Sequence, residues 1–296
     1  MKKTIRKWVL ALFIVVFCGL LAINVQKNIH FELGNRPSFA LPSQTTKIKN
    51  GIIIFCYHRV IKDTPIVKAI EKISPNNQLH VYNVNLTSFK KQMNFLKQNH
   101  IKVISTNEMV KMLSHHHPIK GKYVVITFDD IDRTIPENAA PILIKDKFPF
   151  TLSVITGETG AYREGEQLAT WPQILKMKKA AGNLIEFAVH TSDMHYLNHD
   201  KIAIFNLPKN FTWFKEDFAL SEQQLKQKTG STSDIFTYPY GSGTPQVQQF
   251  LENQSVLKVI YTLNNGIVQG RSNLMLTPRV IINNSSWPSV SQWLTH

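Results

Sequence analysis

Two aspartates stand side by side in Thr127-Phe128-Asp129-Asp130, directly after the apolar run Tyr123-Val124-Val125-Ile126. Neighbouring carboxylates repel unless a cation or a proton is shared between them. A metal on one and proton transfer on the other would relieve the repulsion, so the rest of the chain must be searched for partners. Taken alone, the pair also fits a solvated turn or a helix start. Asp132 follows two residues later, placed to orient the loop or to cap a helix opening near Thr134.

Three further segments end apolar runs in polar or conformationally special residues. They are Cys56-Tyr57-His58-Arg59, His190-Thr191-Ser192-Asp193-Met194-His195 and Tyr238-Pro239-Tyr240-Gly241. His190 and His195 are five apart, and five steps of about 100° put them on different sides of a helix. A helix-borne zinc pair is therefore excluded. To share one ion, His190 must leave a strand end and the chain must curl back to bring His195 alongside. Two imidazoles and one carboxylate make an open catalytic site for zinc or a similar divalent ion, and the same donors make the iron site of non-haem oxygenases. His195 also fits a surface histidine near His199. In the last segment a fixed-φ proline, Pro239, and a permissive glycine flank Tyr240. Such a turn can aim a backbone N–H at a developing oxyanion, or simply end a strand. His58 follows an apolar strand and precedes an arginine that suits a core badly. His115-His116-His117 reads as a solvated loop, with metal binding the lesser reading.

These segments need a scaffold that gathers strand ends. Apolar runs predict strands over 52–57, 102–105, 123–128, 151–155, 185–189, 235–238 and 258–262. Between them Phe89, Met93 and Leu96 recur at helical spacing, and Ser105 with Glu108 predicts a capping box. Further helices are expected over 136–147, 171–181, 218–228 and 245–252. Repeated β-then-α predicts a parallel sheet closed into a distorted (β/α) barrel, with chemistry at the carboxyl ends of the strands. Segments 61–85 and 198–216 break the alternation and read as insertions over one face.

Residues 1–28 begin with Lys2, Lys3, Arg6 and Lys7 and continue into an uncharged apolar stretch from Trp8 to Ile23, the pattern of an export signal or a membrane anchor. Residues 29–50, with Pro37 and Pro42 among Ser, Thr and Asn, predict a linker. Residues 51–296 are expected to form a single domain with a substantial core. Cys18 and Cys56 are the only cysteines, one in the leader and one in a strand, so no disulfide framework exists. The chain of 296 residues carries a formal charge of +14 from 34 basic and 20 acidic residues; removing the four basic residues before Ile23 leaves 30 − 20 = +10. An exported chain without a groove-reading motif argues against nucleic acid, and an anionic cell envelope or membrane surface is the expected charged partner. The expected place is the outside, cell surface or membrane of a bacterium.

Together the four segments resemble the polysaccharide deacetylases, carbohydrate esterase family four, also called the NodB-homology domain, over roughly residues 51–284. T-F-D-D resembles that family's first motif, which implies that Asp129 is the catalytic base and Asp130 a metal ligand. His190 and His195 resemble its second motif, which supplies two more ligands. Their spacing, the Asp132 extension and Tyr-Pro-Tyr-Gly without a preceding arginine are similar to the branch acting on poly-β-1,6-N-acetyl-D-glucosamine, a biofilm exopolysaccharide. Tyr57-His58-Arg59 opening the domain implies a circularly permuted motif order, with His58 as catalytic acid. The resemblance implies one divalent ion, zinc with cobalt or nickel as alternatives. It also implies hydrolysis of an N-acetyl amide, with the Tyr240 N–H behind Pro239 assisting the oxyanion. Thr237-Tyr238 stands where the family carries an arginine, and Arg279 is the candidate substitute that tunes Asp129. The family's tryptophan motif is not recognisable. Deacetylation of peptidoglycan or chitin oligomers, and an inert carbohydrate-binding matrix protein, are the alternatives.

Overall fold

The computed structural model describes residues 2–34, 39–73, 81–114, 118–163 and 165–296. The histidine run 115–117 and Pro37 lie outside them. The longest strands are β1 (Gly51–Tyr57) and β5 (Lys122–Asp129), and they pair in parallel from Gly51↔Lys122 to Tyr57↔Phe128. Both are buried almost throughout, which is why they read as continuous apolar runs rather than as alternation. Between them in sequence come two short pieces that pair with each other, β2 (Arg59–Ile61) and β3 (Asn83–Asn85), and β4 (Lys102–Val103), which pairs with β5.

The sheet continues with β6 (Phe150–Val154), β9 (Ile185–Val189), β10 (Ile235–Thr237), β11 (Val259–Tyr261) and β12 (Val280–Ile281). A small hairpin, β7 (Tyr162–Arg163) with β8 (Glu166–Gln167), stands apart from it. Strand order is β11-β10-β9-β6-β5-β1-β12, all parallel, with β4 on the side of β5. The curled sheet closes through the approach to β12. Thr277 bridges Tyr261 of β11 in parallel, and β12 then pairs with β1. The fold is a distorted (β/α) barrel, and the ends of β1, β5, β9 and β10 open on one face.

Helices cover the outside: α1 (Lys2–Gly34), α2 (Pro65–Ile73), α3 (Leu86–Gln98), α4 (Thr106–Leu113), α5 (Ala140–Asp146), α6 (Trp171–Ala181), α7 (Phe211–Thr229), α8 (Pro245–Glu252) and α9 (Trp287–Thr295). Ser105 Oγ accepts the Glu108 N–H at 3.0 Å, the forward half of the expected box. The reciprocal box stands at Thr170–Gln173, where it was not anticipated. The expected helix over 218–228 begins earlier, at Phe211, because Phe214 and Phe218 turn inward to join Phe236 in an edge-to-face aromatic stack. The expected helix over 136–147 opens with a π-helical turn, Ile135–Ala139.

The N-terminal region differs in detail from the expected linker. Helix α1 continues to Gly34, and within it Ile5–Lys27 is 23 residues of helix with none buried, long and apolar enough to cross a membrane. The segment after it is tied to the barrel: Asn265 Nδ2 donates to the carbonyls of Phe39 and Ala40, the Leu41 N–H to Ser289 Oγ, and Trp293 Nε1 to the Ile48 carbonyl. The chain therefore enters the domain docked against α9.

Candidate active site

Asp129 is the last residue of β5, and the chain turns sharply after it. Asp130 and Ile131 have φ of 64° and 59°, a left-handed pair that separates the two carboxylates. Their environments are opposite. Asp129 is buried, and both its oxygens are gripped by Arg279: Nη1 donates to Oδ1 and Nη2 to Oδ2, each at 2.7 Å. Arg279 also donates from Nη1 to Thr127 Oγ1 and from Nε to the Thr262 carbonyl, and its guanidinium lies 5.1 Å from the centre of the Tyr261 ring. Burial alone would raise the Asp129 carboxyl, but the guanidinium overrides it and holds the group well below the usual carboxylate range.

Asp130 points instead towards the end of β9. Its Oδ1 is 3.3 Å from His190 Nε2 and 3.2 Å from His195 Nε2. His190 leaves β9, Thr191 takes φ 69°, and the chain curls back so that the two imidazole centres are 4.7 Å apart. That curl is braced from α7. Asp217 accepts the Ser192 N–H at 2.8 Å and the Asp193 N–H at 2.7 Å, while Gln224 Oε1 takes the hydroxyls of Ser192 and Thr156. Gly157 is needed on the other side, where a β-carbon would meet the Ser192 carbonyl at 2.7 Å. Arg163 donates to the His195 carbonyl and pairs with Glu158.

His190 Nδ1 lies 2.8 Å from the Thr237 carbonyl, an acceptor, so that nitrogen carries a proton and Nε2 is the one turned to Asp130. Burial pushes His195 down to about 4, against the opposing pull of Asp130, so its ring is neutral near pH 7. Three ligand atoms thus face one another, and among the described residues Asp130 Oδ1 has no hydrogen-bond partner. Spacings of 3.2 and 3.3 Å match the edge of a tetrahedron with metal–ligand bonds of about 2.0–2.1 Å. The donor set fits a divalent cation.

These groups line a cavity of about 70 Å³ together with His58, Tyr82, Glu166 and Tyr240. His58 sits just beyond β1, its ring centre 4.6 Å from that of Tyr82. Burial lowers its pKa, opposed by the charges of Asp130 and Asp129. The backbone two residues on is clamped by the π-helical segment: the Val60 N–H donates to Thr134 Oγ1 and Asn138 Nδ2 to the Val60 carbonyl. Asp132 is not in the cavity lining; its Oδ1 accepts the Thr134 N–H at 2.8 Å and so shapes that clamp. Tyr240 has φ 57°, the strained centre of the expected turn after Pro239, and its ring lies 4.9 Å from that of His195. Arg59 pairs with Glu166 at 3.2 Å, and burial with nearby Asp130 raises Glu166 to about 7.

Asp129, Asp130, His58, His190, His195, Arg279 and the Pro239–Tyr240 turn therefore converge at one face. Sequence reasoning missed Asp217, Gln224, Arg163, Glu166 and Tyr82. The first two lie within a helical pattern where polar residues carry no signal, and the others fall in short irregular strands or turns.

Comparison with known proteins places the chain in a family. A polysaccharide deacetylase family profile matches residues 116–257. The structure of IcaB from Ammonifex degensii superposes with a TM-score of 0.72 at 30% identity, covering 83% of this chain and 98% of that one. The chain belongs to the polysaccharide deacetylase family and is an enzyme acting on amide bonds. A poly-β-1,6-N-acetyl-D-glucosamine N-deacetylase of Staphylococcus aureus is 29% identical over 259 residues, 85% of this chain and 86% of the relative. The protein of the same name from Staphylococcus epidermidis is 27% identical over 251 residues, 83% and 84% of the two chains. A Streptococcus pyogenes deacetylase, PplD, solved with acetate, shares the fold with a TM-score of 0.61 at 25% identity.

Proposed function

We propose that this chain is a metal-dependent N-deacetylase of poly-β-1,6-N-acetyl-D-glucosamine, held at the outer surface of a bacterial membrane by α1. The observation that carries the reading is the meeting of Asp130 Oδ1 with two imidazole nitrogens at tetrahedral-edge distance, with no hydrogen-bond partner for that oxygen among the described residues. The names of the staphylococcal relatives support the substrate. Asp130, His190 and His195 would hold the ion, zinc by their donor chemistry with cobalt or nickel as substitutes. When bound, it supplies Lewis acidity to water and to the acetyl carbonyl.

The protein groups do the rest. Asp129, kept ionised by Arg279, accepts a proton from the attacking water. Because that ion pair makes Asp129 a weak base, it passes the proton on. His58 is the acceptor at hand, neutral at rest and with a ring nitrogen within 4.8 Å of the Asp129 carboxylate. His58 then protonates the departing nitrogen, which leaves poorly as an anion. The Tyr240 turn offers its N–H to the oxyanion. The net charge of +10 beyond residue 23 suits an anionic envelope, and sedimentation with wall fragments at low and high salt tests that separately.

Acetate release from the β-1,6-linked polymer, from chitin oligomers and from peptidoglycan, each with and without chelator, decides the matter. Chelator-sensitive release is expected from the β-1,6 polymer above the others. Equal or greater release from peptidoglycan or chitin moves the substrate assignment. Stoichiometric metal without release from any polymer favours an inert carbohydrate-binding protein.

A further inference from the structure

We infer that Cys56, His58 and Asp129 form a second, inhibitory cation site selective for soft divalent ions, lying behind the three-ligand site. This rests on the deacetylase reading and concerns regulation of the same pocket. One ligand atom from each of the three residues lies within 4.8 Å of the others. Cys56 Sγ is 3.4 Å from Asp129 Oδ2. Sulfur and oxygen ligands across a tetrahedral zinc centre are about 3.5 Å apart, given bonds of about 2.3 and 2.0 Å. The buried Nδ1 of His58 has no hydrogen-bond partner among the described residues. An imidazole with an unpartnered buried nitrogen, grouped with a thiol and a carboxylate, is a ligand set in want of an acceptor.

The same contacts set the selectivity. Arg279 occupies both oxygens of Asp129, so the carboxylate is a weaker anionic ligand than Asp130 and hard oxygen-seeking ions gain little from it. The sulfur must supply the affinity, which favours zinc in excess or cadmium. Burial raises the Cys56 thiol well above its ordinary value, so the resting sulfur is protonated and inert until a soft cation displaces the hydrogen. On binding, the S–H bond breaks, the sulfur–metal bond forms, and the proton leaves to solvent through the pocket; nothing is oxidised or reduced. His58 and Asp129 both line that pocket, so the ion arrives by the substrate's route. Once there it holds the lone pairs that the proton relay needs. Excess metal therefore stops the enzyme while the first ion stays in place.

The test uses the full chain in detergent with Cys18→Ser, which removes the other thiol, and compares it with Cys18→Ser/Cys56→Ser. Each metal-free protein is loaded with one equivalent of zinc and then titrated with cadmium. Bound equivalents come from equilibrium dialysis and thiolate-to-metal charge transfer from ultraviolet absorption, and acetate release is normalised to each protein's own rate at one equivalent. The Cys56 protein should bind two equivalents, the second with the charge-transfer band, and lose about a hundredfold in rate as the acid–base pair is captured. The Cys56→Ser protein should bind one, show no band and hold its one-equivalent rate. One equivalent and no band in the Cys56 protein overturns the inference, as does a second equivalent retained after the Cys56→Ser change. A misfolded double variant does not rescue the idea, because the band on the Cys56 protein stands as its own test. Failure of the first equivalent to bind or to support acetate release would instead strike the deacetylase reading.

Discussion

Asp129 and Asp130 are joined by one peptide bond and live in different electrostatic worlds. Asp129 lies inward, its charge cancelled by a buried guanidinium through two 2.7 Å hydrogen bonds. Asp130 faces the cavity, opposed by two imidazole nitrogens and no guanidinium. The left-handed turn at Asp130 and Ile131 makes the separation possible, since an extended continuation would keep the second carboxylate pointed across the sheet from the first. A dry, compensated carboxylate is suited to brief proton transfer. One without a guanidinium, beside two imidazole nitrogens, is suited to holding a cation. Two identical side chains thus acquire different chemistry from their neighbours alone.

The sharpest way to break this contrast is to remove one carboxylate at a time. Asp130→Ala should abolish stoichiometric metal and lower acetate release by more than about a thousandfold, since the Lewis acid goes with it. Asp129→Asn should keep the metal and lose about 10²- to 10⁴-fold in rate. Metal content by elemental analysis separates the two, and an Asp129→Asn protein without metal would show that the roles are not divided.

Next in size is the counter-ion. Arg279→Met leaves the Asp129 charge buried and unpaired, and urea unfolding should register a loss of about 3–5 kcal/mol. A loss under about 1 kcal/mol would mean that the ion pair contributes little beyond its own desolvation.

A milder change tests the brace. Asp217→Asn keeps the shape of the residue but weakens its hold on the Ser192 and Asp193 N–H groups. Metal affinity should fall about 10- to 100-fold, with the melting temperature little altered. Unchanged affinity would assign Asp217 to the fold alone.

The smallest expected effect is in the pH dependence of the metal-free protein. His195 sits at about 4 in the fold against 6.5 unfolded, so the unfolded chain takes up the extra proton as pH falls between those values. Stability present above pH 6.5 is therefore lost towards pH 4. Glu166 runs the other way, since its rise from 4.5 to about 7 costs stability as pH climbs through that interval. Chemical denaturation of chelated His195→Asn and Glu166→Gln proteins across pH 4–8 should flatten one arm each. A profile that neither substitution changes would remove both groups from the account.

Much of the scaffold was legible before any coordinates. Strands β1 and β5 are buried on both faces, so their apolar runs are long and unbroken, and helices α6 and α8 begin with Pro near a Thr cap and coincide with the expected spans. Helix α9 carried no strong period, and α2 lay hidden in an apparent insertion. The chemistry-bearing residues were visible because each stands at the end of an apolar run. Their partners were less so. Asp217 is one acidic residue in a mixed helix, and the Arg163–Glu166 hairpin is too short to announce itself.

What the amino-acid order determined by itself is the alternation that makes the barrel, and the strand ends that carry Asp129, Asp130, His58 and His190. Those follow from local periodicity and from the burial each stretch demands. The chain's order alone did not decide which aspartate meets which counter-charge. Arg279 is 150 positions from Asp129, and the Thr237 carbonyl that sets the His190 tautomer is 47 from its ring. The first contact needs the sheet to close through Thr277, and the second needs β9 and β10 side by side. Charge compensation falls off within a few ångströms in space and takes no account of separation along the chain.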